Sequence, residues 1–254
     1  MFQNMDERLY FTIGSSLVHT LTFTIFNALL FMIDYLQWFK KYKIQPNSYP
    51  DMKLIRQCIR DNIIGHLIVA PIAAYFAYPL YVSYGMSVSG PLPPLTIILR
   101  DLIIAVAVND TMFYWAHRGL HHSSIYKYIH KQHHEFKTPV GISSKYAHPI
   151  EDIIANTLPT VLGPLFVGMH AKVFWLWLFI RLLETIDAHS GYNFPFNPFH
   201  AFSFQGGAER HDFHHSHNVG CYGSFTIFWD WIMGTDQAFL EYKAKKMNMS
   251  KKGE

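Results

Sequence analysis

Charge and cysteine are what this chain has least of. Only 15% of its 254 residues are Asp, Glu, Lys or Arg, against roughly a quarter in ordinary soluble domains, which excludes a highly solvated globular protein. Two cysteines, Cys58 and Cys221, exclude a disulfide framework and a thiolate-rich structural zinc site. No Gly-x-Gly-x-x-Gly run opens a helix after a strand, so no nicotinamide fingerprint is present. His134-Glu135 is followed by Phe136, Lys137 and Thr138, so the H-E-x-x-H signature of a metalloprotease is missing as well. The formal net charge is only +3, and the basic residues border apolar runs, where they set topology and touch lipid headgroups; no nucleic-acid partner is expected. Internal repeats and low-complexity linkers are also missing.

Apolar residues, by contrast, make up half the chain, and aromatics 17%. They are bunched. Residues 9–39 reach Asp34 before the first charged side chain, residues 63–82 contain no charge, and residues 95–116 form a third run interrupted by Arg100, Asp101 and Asp110. Each is long enough for a bilayer, and the charges in the third must face protein or a polar cavity. Residues 150–186 hold two shorter runs split by Pro159, Gly163, Pro164 and Gly168, a pattern for a helical hairpin entering and leaving one membrane face. Residues 40–62 carry Lys40, Lys41, Lys43, Lys53, Arg56 and Arg60, whereas residues 84–94 carry no Lys or Arg. The positive-inside rule therefore places 40–62, and with it everything after the third span, in the cytosol. The first span lacks the pattern of a cleaved signal and reads as a retained anchor. The expectation is an all-α integral membrane protein with three transmembrane helices plus a helical hairpin. Residues 1–94 supply the anchor, and residues 95–254 form one unit with a cytosolic-side helical polyhistidine di-metal domain.

Fourteen of the 16 histidines lie between His117 and His217. Nine fall in three tight clusters: His117, His121 and His122; His130, His133 and His134; His211, His214 and His215. Residues at i, i+3 and i+4 share a helix face, so each cluster can present several imidazoles to a common centre. Nine nitrogens exceed the needs of one four- to six-coordinate ion, which points to two. A pH-sensing patch would not need that repeated spacing. His19, His66 and His170 stand alone and read as structural residues.

Imidazole suits iron, and soluble di-iron helical proteins use Glu-rich sets that are replaced here by histidine. Glu135 follows His134, Asp212 follows His211, and Asp187 precedes His189; each is placed to accept the distal ring N–H of a ligand. A polyhistidine site at the rim of a membrane domain suits O₂-dependent oxidation of an unactivated C–H bond in a lipid.

The runs HRGLHH, IYKYIHKQHHEFKTPVG, KYAHPIED, RLLETIDAHSGYNFP, RHDFHH and WDWIMGTD, covering about residues 109–236, resemble the fatty acid hydroxylase and sterol desaturase superfamily, and within it the C-4 methylsterol monooxygenases. Residues 1–94 match only in having spans. The resemblance implies that His117, His121, His122, His130, His133, His134, His211, His214 and His215 bind metal, with His189 of DAHSGY as a tenth ligand. His148 of the AHP segment is a further candidate, for a ligand, a substrate contact or a structural hydrogen bond. His200 and His217 match no family requirement and read as supporting or surface residues. It also implies two iron ions and electrons from NAD(P)H through cytochrome b5 and its reductase. The implied reaction is stepwise oxidation of a sterol 4-methyl group to alcohol, aldehyde and acid, in an endoplasmic reticulum membrane, ahead of a sterol decarboxylating dehydrogenase. Lys127, Lys131 and Lys137 offer a basic surface to an acidic electron donor, or simply a solvated face. Lys251 and Lys252, third and fourth from the C-terminus, look like a dilysine retrieval signal.

Other oxidations on the same scaffold compete with this reading: sterol C-5 desaturation, fatty acyl or sterol side-chain hydroxylation, and alkylglycerol ether cleavage. A metal transporter is the alternative from another class, but it would carry ligands within its spans at mid-membrane.

Overall fold

A computed structural model describes residues 6–201 and 204–252. Among them are eleven α-helices: α1 (Glu7–Tyr35), α2 (Met52–Ile64), α3 (Ala70–Ser83), α4 (Leu95–Leu120), α5 (Ser123–Tyr126), α6 (Pro149–Glu151), α7 (Leu158–Phe166), α8 (Ala171–Ala188), α9 (Gly207–His217), α10 (Phe228–Met233) and α11 (Gln237–Lys252). The described residues contain no β-strand, only two isolated bridges, Lys43 with Tyr192 and Gln205 with Thr226.

α1 starts where the Asp6 side chain accepts the Arg8 N–H at 3.0 Å, satisfying one of the free first-turn donors. One face, with Phe11 and Phe23, is buried against α3 and α8. The opposite face is an exposed ridge of Leu9, Leu17, Leu21, Ile25 and Leu29 at helical spacing. α2 and α3 run on through a π-helical turn, Gly65–Val69, as one helix from Met52 to Ser83. Its outer side exposes Ile63, Leu67, Ile72 and Phe76. These two helices, Glu7–Tyr35 and Met52–Ser83, are long and apolar enough to cross a membrane. Their continuous exposed apolar faces are of the kind that lipid covers and mark a membrane protein.

α4 falls where the third span is expected but is not among the described helices apolar enough to cross a membrane; its Asp101 and Asp110 are buried inside the protein, where charges in that run have to be. Asp110 accepts the N–H groups of Phe225 and Thr226, both at 2.9 Å, which tethers the chain after α9 to α4. α4 packs on α7 across Gly163, where an added Cβ would lie 2.8 Å from the Ala105 Cα. The expected hairpin takes a different form. Its first arm runs on from α6 through a π-helical turn, Asp152–Thr157, into α7, with Pro149 and Pro159 in the first turns of α6 and α7 and Pro164 inside α7. Its arms then part, α7 lying mainly on α4 and α8 mainly on α1. α8 forms the centre of the molecule, with Trp177, Phe174 and Val173 in one core cluster and Leu182 and Ile186 in another. α4, α8 and α9 thus bring the His-bearing segments to one end of this core. The KKGE ending is outside what is described: Gly253 and Glu254 entirely, Lys251 and Lys252 in their side chains.

Candidate metal centre

Two adjacent sets of imidazoles occupy that end of the fold. His117, His121, His130, His134 and His214 offer ring nitrogens all within 4.8 Å of one another, and so do His133, His189, His211 and His215. The sets touch, with the His134 and His215 rings stacked at 4.8 Å between centroids. His117 lies in the last turn of α4 and His121 caps that helix. His130, His133 and His134 come from a 3-10 segment, His130–Glu135, rather than the expected α-helix. His211, His214 and His215 share a face of α9. His189, the C-cap of α8, joins the second set, as implied for a tenth ligand.

His122 does not join. α4 ends one residue before His121, so His122 lies past the helix, exposed, where its Nδ1 meets the Ser124 Oγ at 2.7 Å and caps α5. The regular spacing of HRGLHH presupposed a helix that the chain does not continue.

The rings are held from outside by main-chain carbonyls. Nδ1–H of His117 donates to Tyr222 O at 3.1 Å, of His133 to Tyr146 O at 3.1 Å, of His189 to Thr185 O at 2.8 Å, and of His215 to Phe136 O at 3.0 Å. His214 donates to Gly220 O at 2.6 Å. Gly220 has φ of +61°, and an added Cβ would lie 2.2 Å from Thr235 O, so only glycine suits this position. His130 alone has an acid: its Nδ1 meets Glu151 Oε1 at 2.8 Å, both groups buried. With Nδ1 protonated on both His133 and His189, both Nε2 atoms carry bare lone pairs, yet they face each other at 3.3 Å. Such an arrangement is repulsive unless a cation lies between the nitrogens, and this donor chemistry fits a metal. Burial, with repulsion from neighbouring imidazoles, holds His211, His214 and His215 well below the ordinary imidazole range. Burial likewise lowers His121 and His133 to about 4. At neutral pH the imidazoles are therefore uncharged and free to ligate.

The acids expected behind the ligands are placed otherwise. Glu135 is exposed and accepts the Tyr146 hydroxyl at 3.1 Å. Asp212 points away from the imidazoles, Oδ1 accepting Gln45 Nε2 at 2.9 Å; burial pushes its carboxyl up to about 6. Asp187 is half-buried and hydrogen-bonded to the Asn197 side chain, its carboxyl also pushed up to about 6 by burial. A side chain beside a ligand in sequence points to another face of a helix, so adjacency was the wrong cue. His148 caps α6, accepting the Ile150 N–H at 3.2 Å, and His170 caps α8 in the same way. His217 is exposed on α9, and the side chain of His200 is outside the described residues. Glu151 went unnoticed in the sequence because it is 21 residues from His130 and in no helical register with it. Also unforeseen is a buried ion pair at the centre, Arg181 to Glu184 at 2.6 Å. Both line a cavity of about 30 Å³ with His117, His130, His133, His189 and His211.

Residues 102–235 match the model of the fatty acid hydroxylase family. Methylsterol monooxygenase 1 of Gallus gallus is 36% identical over 255 residues, 97% of this chain and 83% of that protein. Methylsterol monooxygenase 1 of Rattus norvegicus is 35% identical over 258 residues, 100% of this chain and 87% of that protein. A very-long-chain aldehyde decarbonylase of Oryza sativa subsp. indica is 36% identical over 237 residues, 92% of this chain and 87% of that protein. No solved structure matches. With a family model across the histidine region and relatives of this identity along nearly the whole chain, the protein belongs to the fatty acid hydroxylase family, whose members are metal-dependent oxidases.

Proposed function

We propose that this protein is an O₂-dependent di-iron monooxygenase that oxidises the 4-methyl group of 4-methylsterols stepwise to alcohol, aldehyde and acid. The observation that carries the reading is the pair of touching imidazole sets, five and four residues, in which six rings turn Nδ1 outward onto carbonyls or Glu151. His117, His121, His130, His134 and His214 would hold one iron, and His133, His189, His211 and His215 the other. His122 drops from the ligand set. Bound iron supplies the activation of O₂ needed to attack a C–H bond that no acid or base can break. The chain's own residues fix the nitrogen lone pairs inward, exclude bulk water by burial, and leave the Arg181–Glu184 pair facing the reaction space. The first oxidation balances as R–CH₃ + O₂ + 2e⁻ + 2H⁺ → R–CH₂OH + H₂O. Its electrons come from NAD(P)H through a cytochrome b5-type donor and its reductase, arriving at a cytosolic face that includes exposed Lys127, Lys131 and Lys137. The acid product suits a downstream sterol decarboxylating dehydrogenase.

The same reading gives α4 a spanning role and lets the hairpin of α6 to α8 enter from the cytosolic side, with the histidines and C-terminus in the cytosol and the protein in the endoplasmic reticulum. Support comes from the basic residues of 40–62, which lie between the two apolar helices and on the first turns of the second, and from relatives named methylsterol monooxygenase that match nearly the whole of this chain. A second reading, action on a very-long-chain aldehyde, is favoured by the equally similar rice relative. Membranes containing the protein, given O₂ and an electron donor, should convert a 4,4-dimethylsterol to 4-hydroxymethyl and 4-carboxy products, with about two irons per chain. Conversion of a long-chain aldehyde to alkane, with the sterol untouched, would replace the first reading by the second.

A further inference from the structure

The run WDWIMGTD, residues 229–236, contains no imidazole, yet it folds into a clasp on the loop behind the five-residue set. α10 is stopped after Met233 by Gly234, which has φ of +63°, a conformation that glycine takes without steric cost. The turn brings Thr235 back over Asp230: its N–H donates to Asp230 O at 2.9 Å and its hydroxyl to Asp230 Oδ1 at 2.6 Å. Three successive N–H groups of the 221–223 loop then end on this run. Cys221 donates to Thr235 O at 3.1 Å, Tyr222 to Asp230 Oδ1 at 2.9 Å and Gly223 to Asp230 Oδ2 at 2.7 Å. Gly223 lets the buried carboxylate approach, since an added Cβ would lie 2.8 Å from Asp230 Oδ2.

With their N–H groups drawn to the clasp, the loop residues present carbonyls to the imidazoles. Gly220 O accepts His214 Nδ1–H, and Tyr222 O accepts His117 Nδ1–H. Both rings belong to the five-residue set. Gly220 and Cys221 take left-handed φ of +61° and +55°, and a residue other than glycine keeps that conformation only where its surroundings dictate it. The clasp is also tied to the helix that carries His117: Tyr114 Oη of α4 lies 3.1 Å from Thr235 Oγ1, and Arg118 Nη1 donates to Tyr114 Oη at 3.2 Å. The four-residue set is supported elsewhere, by Tyr146 O, Thr185 O and Phe136 O on His133, His189 and His215. We propose that Asp230 is a positioning residue for one metal only: through the 220–223 loop it aims the lone pairs of His117 and His214 at the ion of the five-residue set, and it leaves the other ion's ligands untouched. This rests on the two-metal reading of the imidazoles and not on which substrate is oxidised.

Asp230→Asn tests it with the side-chain shape preserved. In either orientation of the amide, one loop N–H meets an NH₂ instead of an oxygen, so an acceptor is lost while the volume is not. Iron per chain is measured by elemental analysis on protein in phosphatidylcholine nanodiscs, titrated with Fe(II) without O₂ or electron donor. Wild type should fill to about two irons and Asp230→Asn to about one at the same free iron, the weakened site needing roughly tenfold to a hundredfold more. A second change reads which site remains: His214→Ala should leave the count in Asp230→Asn at about one, whereas His211→Ala should take it toward zero. Thr235→Val removes only the hydroxyl that Asp230 accepts, keeps the main-chain acceptor of Cys221, and should weaken the same site by a smaller factor; it carries the test should Asp230→Asn fail to accumulate. An acid that merely held the fold together would on replacement release both irons in parallel. That outcome overturns the proposal, as does wild-type affinity for both irons in the Asn and Val variants, or a count lowered as much by His214→Ala as by His211→Ala. Wild type that holds no iron would remove the two-metal reading and the clasp's role with it, whereas iron-loaded wild type beside indifferent variants removes the clasp's role alone.

Discussion

Replacing Glu151 by alanine isolates the one acid that orients a candidate ligand. The His130 ring and the Glu151 carboxyl group, whose pKa burial raises well above the ordinary range, meet at 2.8 Å with side chains 1% and 4% exposed. Alanine leaves the His130 Nδ1–H buried without an acceptor, a loss of about 1–3 kcal/mol. At about 1.4 kcal/mol per tenfold, that is roughly a 5- to 150-fold loss, which brackets the 10–100-fold typical of residues behind a metal ligand. Glu151→Ala should accordingly reduce iron retained per chain at limiting iron, with excess iron restoring much of the sterol oxidation. Glu151→Gln keeps an acceptor oxygen and should recover most of the loss. Iron content is read by elemental analysis and oxidation by sterol product analysis in the same membranes. Full iron and wild-type turnover in Glu151→Ala would refute the orienting role. A Gln variant as impaired as Ala would refute the argument from a simple acceptor.

His133→Ala and His214→Ala should each abolish oxidation while the protein still inserts, since the apolar helices do not need metal to enter lipid; His122→Ala, outside both sets, should keep iron and activity within about twofold. For pH, His121 and His133 fall to about 4 when folded from about 6.5 when unfolded. The neutral set therefore supports fold and metal fully above about pH 6.5 and loses that support as pH falls through about 4; iron retained after dialysis should fall across that window, and retention at pH 3.5 would contradict it. Changing Lys251 and Lys252 to Ser should let some protein leave the endoplasmic reticulum without altering activity in isolated membranes, and an unchanged distribution by imaging would reduce those lysines to a solvated tail.

Much of this architecture was legible because it rests on composition and local periodicity. The uncharged runs up to Asp34 and at 63–82 announced the apolar parts of Glu7–Tyr35 and Met52–Ser83, since hydrocarbon demands satisfied backbone and apolar side chains; the charged start of the second helix, from Met52, read instead as a link. The histidine clusters announced a metal centre because ligands must be dense. Less legible was whatever depends on where a helix stops. His122 was assigned by spacing to a helix that ends two residues too soon, and the second cluster reached the centre on a 3-10 segment.

The supports of the centre escaped for a deeper reason. Five imidazoles are fixed by carbonyls of Tyr146, Phe136, Thr185, Gly220 and Tyr222, and a carbonyl is offered by every residue type, so no side-chain pattern encodes it. What the sequence does encode is the backbone path that delivers the carbonyl: Gly220, in a left-handed conformation against Thr235 O, turns its oxygen toward His214. Asp110 does the same at a distance, gathering two N–H groups of the 225–226 segment onto α4. Side chains usually read as solvated acids or flexible glycines thus set the positions of the groups that set the ligands. Metal affinity here is as much a property of loop geometry as of histidine count.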